Sequence, residues 1–204
     1  MSDLSQLAEQ IRTCQRCRLA QTRLQAVPGE GPERAPFLLI GEGPGFHEDR
    51  QGRPFVGRSG DLLETLLASI GLGRRDVFIA NVVKCRPPDN RDPLPDEIEA
   101  CRPYLDRQIE LIQPKLVITL GRISMARYFP GQSITRIHGQ IKWVGEMGFV
   151  PMFHPAAALR NPQWMTAIRA DFAQLAPLVA ELYPDRSGQA DHEETDEAQQ
   201  LSLF

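Results

Sequence analysis

Phe37-Leu38-Leu39-Ile40 runs directly into Gly41-Glu42-Gly43-Pro44-Gly45. An aliphatic run that ends in a glycine-rich turn puts the turn at the carboxyl end of a strand, the edge where open α/β sheets bind ligands. The same event recurs down the chain. Val77-Phe78-Ile79-Ala80 leads to Asn81, Leu116-Val117-Ile118-Thr119-Leu120 to Gly121, and Phe149-Val150-Pro151-Met152-Phe153 to His154-Pro155. Helical patterns lie between these runs. Leu62, Leu63, Leu66, Leu67 and Ile70 recur at helical spacing before Gly71, residues 95 to 112 read as a helix, and a last helix is expected over roughly 164 to 182. Strands alternating with helices specify an α/β chain with a mostly parallel central sheet between helical layers. Parallel strands send their carboxyl ends to one edge, so Glu42, Asn81 and His154 are expected to meet in one cleft.

The remaining stretches read less sharply. Leu4, Leu7, Ala8 and Ile11 share one face of a short helix over residues 3 to 13. Residues 24 to 35 and the polar stretch after Gly45 read as loops. Arg86-Pro87-Pro88-Asp89-Asn90-Arg91-Asp92-Pro93 excludes helix. A weaker strand pair is expected over 133 to 144. Taken alone, the 41–45 turn serves equally as a surface loop. It is no dinucleotide fingerprint, because Phe46 stands where Gly-x-Gly-x-x-Gly needs its last glycine.

At 204 residues the chain suits one domain, residues 1–184, followed by a tail, residues 185–204. Residues 185 to 200 are polar, acidic and free of aromatics, the composition of a disordered linker. No basic region followed by an apolar block opens the sequence, and no apolar run approaches membrane-spanning length. The expectation is a cytoplasmic protein. Six acids and one base in the tail carry −5 of charge, so the net −3 leaves the preceding residues at +2. Their bases are nearly all arginine, with lysine only at 84, 115 and 142. Arginine grips phosphate in a bidentate fork, so this balance permits DNA binding without requiring it.

The four cysteines are Cys14, Cys17, Cys85 and Cys101. In a cytosolic chain, Cys-x2-Cys followed by two distant cysteines favours a metal site over disulfides. Zinc and a cubane iron–sulfur cluster both accept four thiolates, and the spacing does not choose between them. Either would tie the first helix to the proline-rich loop and brace the loop behind Asn81.

Taken together, Gly41-Glu42-Gly43-Pro44-Gly45, Arg53-Pro54-Phe55-Val56-Gly57, Asn81-Val82-Val83-Lys84-Cys85-Arg86-Pro87-Pro88 and His154-Pro155 resemble, in order, the motifs of family 4 uracil-DNA glycosylases. The resemblance covers roughly residues 4 to 182 and includes the cysteine pattern. It implies a three-layer α/β/α sandwich and a 4Fe-4S cluster on the four cysteines, in preference to zinc. It also implies hydrolysis of the N-glycosidic bond of deoxyuridine in DNA, with the nucleotide flipped out of the stack. By the same resemblance Phe55 stacks on the uracil, and Asn81 offers a donor and an acceptor to its O4 and N3–H edge. His154 donates to O2 as negative charge develops. The 41–45 turn, with Gly41 and Gly43, lines the base pocket. Glu42 is the first choice for positioning water, and Glu48 is a second carboxylate of the same loop. Family 1 enzymes carry an aspartate where this chain has Gly43, and Phe46 and His47 stand where family 4 is often acidic.

Residues 156 to 161 resemble the family's DNA-side loop, with Leu159 as a wedge and Arg160 on phosphate. Glu42 argues against family 5, which lacks that carboxylate. Arg136-Ile137-His138 resembles the loop of a covalently trapping branch, but it follows Cys101 and His138 is not read as a nucleophile. Gln200-Leu201-Ser202-Leu203-Phe204 resembles the pentapeptide by which bacterial proteins bind the sliding clamp, here at the end of a linker long enough to reach it. The expected protein is a monomeric, monofunctional uracil-DNA glycosylase. Its rivals are a non-catalytic iron–sulfur or zinc module that binds DNA or a replication partner, and an electron carrier, which the scattered cysteines disfavour.

Overall fold

The computed structural model describes residues 2–184. The tail, with its clamp-like Gln200 to Phe204 peptide, lies outside the described residues. Five strands form one sheet among the described residues: β1 (Phe37–Gly41), β2 (Phe78–Asn81), β3 (Leu116–Leu120), β4 (Lys142–Val144) and β5 (Met147–Met152), in the order β2-β1-β3-β5-β4. The first three and β5 run parallel, and β4 is an antiparallel edge strand paired with β5. The expected α/β class with a mostly parallel sheet is therefore what the chain forms.

β1 explains the layering. All five of its residues are buried, as a strand covered on both faces requires. Phe37 and Leu39 point into one core, with Leu63 and Leu66 of α3 (Arg58–Ala68), Ile168 and Phe172 of α8 (Pro162–Ala173), and Val179 of α9 (Ala176–Leu182). Leu38 and Ile40 point into a second core, with Ile11 of α1 (Asp3–Arg12) and Tyr104 and Leu105 of α4 (Pro95–Ile112). Period-two alternation along one strand thus builds both helical layers of the sandwich. Filling these cores is the main stabilising contribution, and a Leu→Ala change at a fully buried site such as Leu66 costs about 2–5 kcal/mol.

Three expectations differ from the fold. The polar stretch after Gly45 forms α2 (Phe46–Gln51), which Glu48 starts by accepting the Gly45 N–H and Gly52 ends with a positive φ of 67°. Residues 133 to 144 are not a strand pair. Ile134 and Ile137, three residues apart, lie on α6 (Ile134–Ile137), and Lys142–Val144 pairs with β5 through a two-residue turn at Gly145, where φ is +60°. β-branched residues read as strand there, but helical spacing won. The last helix starts earlier than expected and is two helices. Buried Leu175 joins α8 to α9, where Pro177 in the first turn has no N–H to continue a helix. Among the described residues no helix is long and apolar enough to cross a membrane.

Candidate active site

The carboxyl ends of β1, β2 and β5 converge. Gly41 pairs with Asn81 in register, so the two strand ends sit side by side. A cleft of about 470 Å³ opens there, and Glu42, Phe55, Asn81 and His154 all line it together with Gly43, Glu48, Asn90 and Arg160. The strand order reverses direction at β1, the position where α/β sheets form their ligand crevice.

Phe55 is nearly fully buried and takes φ of +50°, a conformation that bulky side chains rarely adopt. Its backbone is held from outside. Arg74 donates to the Pro54 and Phe55 carbonyls at 2.6 and 2.7 Å and is itself fixed by Glu30. Burial alone would raise the Glu30 carboxyl, but bonds from Arg53 and Arg74 outweigh it and hold the group below its ordinary range. The Phe55 ring stacks against His154, with centroids 5.5 Å apart and planes 25° apart. Gly41 lets the ring and the Asn81 amide come together, because a Cβ at this position would collide with both.

The two loop carboxylates are engaged differently. Glu48 accepts backbone N–H bonds on both oxygens, from Val56 at 3.0 Å and Gly45 at 3.1 Å, and so clamps α2 to the Phe55 loop. Glu42 accepts from the Ile123 N–H at 3.0 Å, at the start of α5 (Arg122–Ala126). Burial raises the Glu42 carboxyl above its ordinary value, more than that bond lowers it, and Asp92 adds repulsion. At Gly43 a Cβ would lie 2.8 Å from Val83 Cγ2, so β2's continuation crowds the place where family 1 carries aspartate.

His154 caps α7 (Pro155–Ala158). Its Nδ1 accepts the Ala156 N–H at 3.1 Å. An accepting Nδ1 leaves the ring proton on Nε2. Burial, helped by the nearby charge of Arg160, pushes the imidazole down to about 4, so near pH 7 the ring is neutral with one fixed donor.

Asn81 is buried, and no protein group among the described residues bonds its side-chain amide. Its carbonyl accepts from Lys84 Nζ at 2.9 Å, and the same ammonium reaches Gln108 Oε1 at 2.6 Å. Burial lowers Lys84 to about 8, with Cys101 and Cys85 opposing. The residue also borders the cysteine site: its N–H donates to Cys101 Sγ at 3.3 Å. All four cysteines, Cys14, Cys17, Cys85 and Cys101, line one cavity with Arg16, Arg23 and Tyr104. Arg23 donates to Cys85 Sγ at 3.0 Å and to the Cys14 carbonyl at 2.8 Å. Burial pushes the Cys85 thiol up and Cys101 up to about 11, against the pull of these cations. Among the described residues no three His, Cys, Asp or Glu are gathered closely enough for a single metal ion. The donor set is four thiols on one cavity whose lining also carries the cations Arg16, Arg23 and Lys84, chemistry that suits an anionic thiolate-bound centre.

Of the expected DNA-side residues, Arg160 is exposed at the cleft mouth, whereas Leu159 is half-buried and packs against the core. His138 is absent from the cleft lining. Its Nδ1 pairs with buried Asp171 at 2.9 Å and its ring packs on Phe153. Sequence reading missed Arg74, Arg23 and Lys84 as supports of the site. Only Lys84 left a trace, as a lysine directly after two valines at the end of a strand. Arg74 acts on residues twenty positions away and nothing local marks it.

Residues 28–176 match the model of the uracil DNA glycosylase superfamily. The chain is 47% identical over 189 residues to a type-4 uracil-DNA glycosylase of Sulfurisphaera tokodaii, covering 88% of this chain and 86% of that protein. A type-4 enzyme of Saccharolobus solfataricus is 47% identical over 185 residues, covering 86% of each. One from Archaeoglobus fulgidus is 40% identical over 193 residues, covering 90% of this chain and 97% of the relative. The chain therefore belongs to the uracil-DNA glycosylase superfamily, on its type-4 branch.

Proposed function

We propose that this chain removes uracil from DNA by hydrolysing the N-glycosidic bond of deoxyuridine, leaving an abasic site for base excision repair. The observation that carries the proposal is the meeting of Phe55, Asn81, His154 and Glu42 in one cleft, with His154 neutral and its Nε2–H free to donate. Membership of the type-4 branch supports the same activity.

The flipped base lies on Phe55. The Asn81 amide donates to O4 and accepts from N3–H, and cytosine, which presents the reverse pattern, is refused. As the N1–C1′ bond breaks, its electron pair passes to the base and spreads to O2, which accepts a hydrogen bond from the His154 Nε2–H. A neutral donor suits an enolate-like oxygen because it stabilises charge without giving up its proton. Water attacks C1′ as positive charge develops on the sugar; its oxygen bonds to C1′, and the proton it sheds passes to solvent and balances the departing uracil anion. Glu42 orients that water, and Glu48, with both oxygens engaged by backbone, holds the loop. Gly41 and Gly43 keep the base wall open, and Arg160 reaches phosphate while Leu159, packed against the core, steadies the loop.

Cys14, Cys17, Cys85 and Cys101 hold a 4Fe-4S cluster rather than zinc. The hydrolysis transfers no electron, so a bound cluster supplies rigidity to the loop behind Asn81. Iron and acid-labile sulfide in purified protein, measured against zinc, test this assignment. The catalytic unit, residues 1–184, works as a monomer in the cytoplasm. The 185–204 tail delivers Gln200, Leu201, Ser202, Leu203 and Phe204 to a bacterial sliding clamp. Undiminished clamp affinity after deletion of the last five residues would end that part of the reading.

Release of free uracil from a uracil-containing oligonucleotide by cluster-loaded protein tests the activity. DNA binding without release would favour a non-catalytic module instead.

A further inference from the structure

We infer that Phe46, flanked by Arg50 and Arg86, is a stacking platform for single-stranded DNA beside the flipped uridine. Phe46 begins α2 next to Gly45, a cleft-lining residue, and is 46% exposed. The Arg50 guanidinium lies 5.5 Å from the ring centroid and the Arg86 guanidinium 5.2 Å. Arg86 comes from a separate segment, the loop after Cys85, and its Nε donates to Asn90 Oδ1 at 2.8 Å. Asn90 and Pro87 line the cleft, so the platform is continuous with the mouth.

Free positive charge marks this surface, as it does Arg160 in the cleft lining. Nearby Arg53, Arg74, Arg91 and Arg122 are each neutralised by a carboxylate, whereas neither Arg50 nor Arg86 has an ion-pair partner among the described residues. An exposed aromatic ring framed by two uncompensated guanidiniums, at the mouth of a base pocket, matches the alternating bases and phosphates of a nucleic-acid strand. Single-stranded DNA is the fitting form. Its bases are unpaired and free to lie on a ring, while the neighbours of a flipped base in duplex stay stacked in the helix.

The inference rests on the reading of the cleft as the uracil site only for which strand is engaged, and uracil-free DNA tests it separately. Fluorescence anisotropy of the full chain with a uracil-free single strand, and with the matching duplex, is the measurement. Phe46→Ala is expected to weaken single-strand binding about tenfold, the scale of one lost base–aromatic stack, and duplex binding less than about twofold. Phe46→Trp is expected to restore the single-strand affinity. Arg50→Ala with Arg86→Ala should weaken both forms and flatten the salt dependence, since phosphates are common to both. Single-strand affinity untouched by Phe46→Ala, equal losses on both forms, or no single-strand binding by wild type would overturn the inference. Failure of the wild type to release uracil would instead strike the proposed function and leave this surface standing.

Discussion

At His154 one backbone bond decides the chemistry. The Ala156 N–H occupies Nδ1, so the proton sits on Nε2, the donor that the proposed reaction assigns to uracil O2. The working ring is the neutral form, present above about pH 4. In the proposed reaction Glu42 acts as the carboxylate, the form present above its raised value. Both active forms are reached from the acid side, so uracil release should rise with pH through the raised Glu42 value and then level off, with no inflection from His154 at the ordinary histidine value. Glu42→Gln should lower the plateau by about 10–100-fold and remove the Glu42 inflection from the pH–rate profile. An acid limb that survives Glu42→Gln unchanged would take the water-positioning role from this residue. Gly43 offers a stability test at the same scale. A Gly43→Asp side chain must push into Val83, costing about 1–3 kcal/mol by denaturant unfolding, and Val83→Ala in the same chain should recover part of it. Wild-type stability for Gly43→Asp would show that the two strand ends are not so tightly packed.

Among elements, the loop between α2 and α3 depends on a residue outside itself. Phe55 holds a positive φ whose cost is about 1–3 kcal/mol, and Arg74 offsets it with two carbonyl bonds. Arg74→Ala should lower stability by about 2–3 kcal/mol, roughly 5–10 °C in Tm, and raise KM for uracil DNA as the stacking ring loosens. The Arg74–Glu30 contribution is present at neutral pH and is lost as pH falls through the lowered value of Glu30, so the Tm difference between wild type and Arg74→Ala should shrink in acid. A constant difference would mean that Glu30 is not the anchor. The sequence displayed the elements that follow simple periodicity. The strands β1, β2, β3 and β5 and the helix α4 were legible, because apolar runs and helical spacing report burial directly. Glu42, Asn81 and His154 were legible as cleft residues because each follows a strand, whereas Phe55, in the loop between α2 and α3, was marked only by the resemblance to the family 4 motifs. The α2 helix, the α6 turn and the break at Leu175 were not, since caps and packing rather than pattern decide them. Arg74 and Arg23 escaped for another reason: their partners are distant in sequence and meet them only once the chain has folded.

Across the molecule, the cysteine cavity and the cleft proposed for uracil share one wall. Lys84 bonds the Asn81 carbonyl and Gln108 while its own N–H bonds Cys101. Lys84→Met keeps the volume but leaves two buried acceptors unpaired, at about 1–3 kcal/mol each. It should lower the thermal midpoint of cluster-loaded protein, and an unchanged midpoint would dismiss the bridge. The proposed uracil site rests on strand ends that a parallel sheet brings together. Its most direct measurement is the rate of uracil release by cluster-loaded wild type, Asn81→Ala and His154→Ala, each with its iron content and melting temperature checked. Wild type should release uracil efficiently, and each variant should lose about 10²–10³-fold at undiminished cluster content. Full activity in both variants would contradict the proposed site.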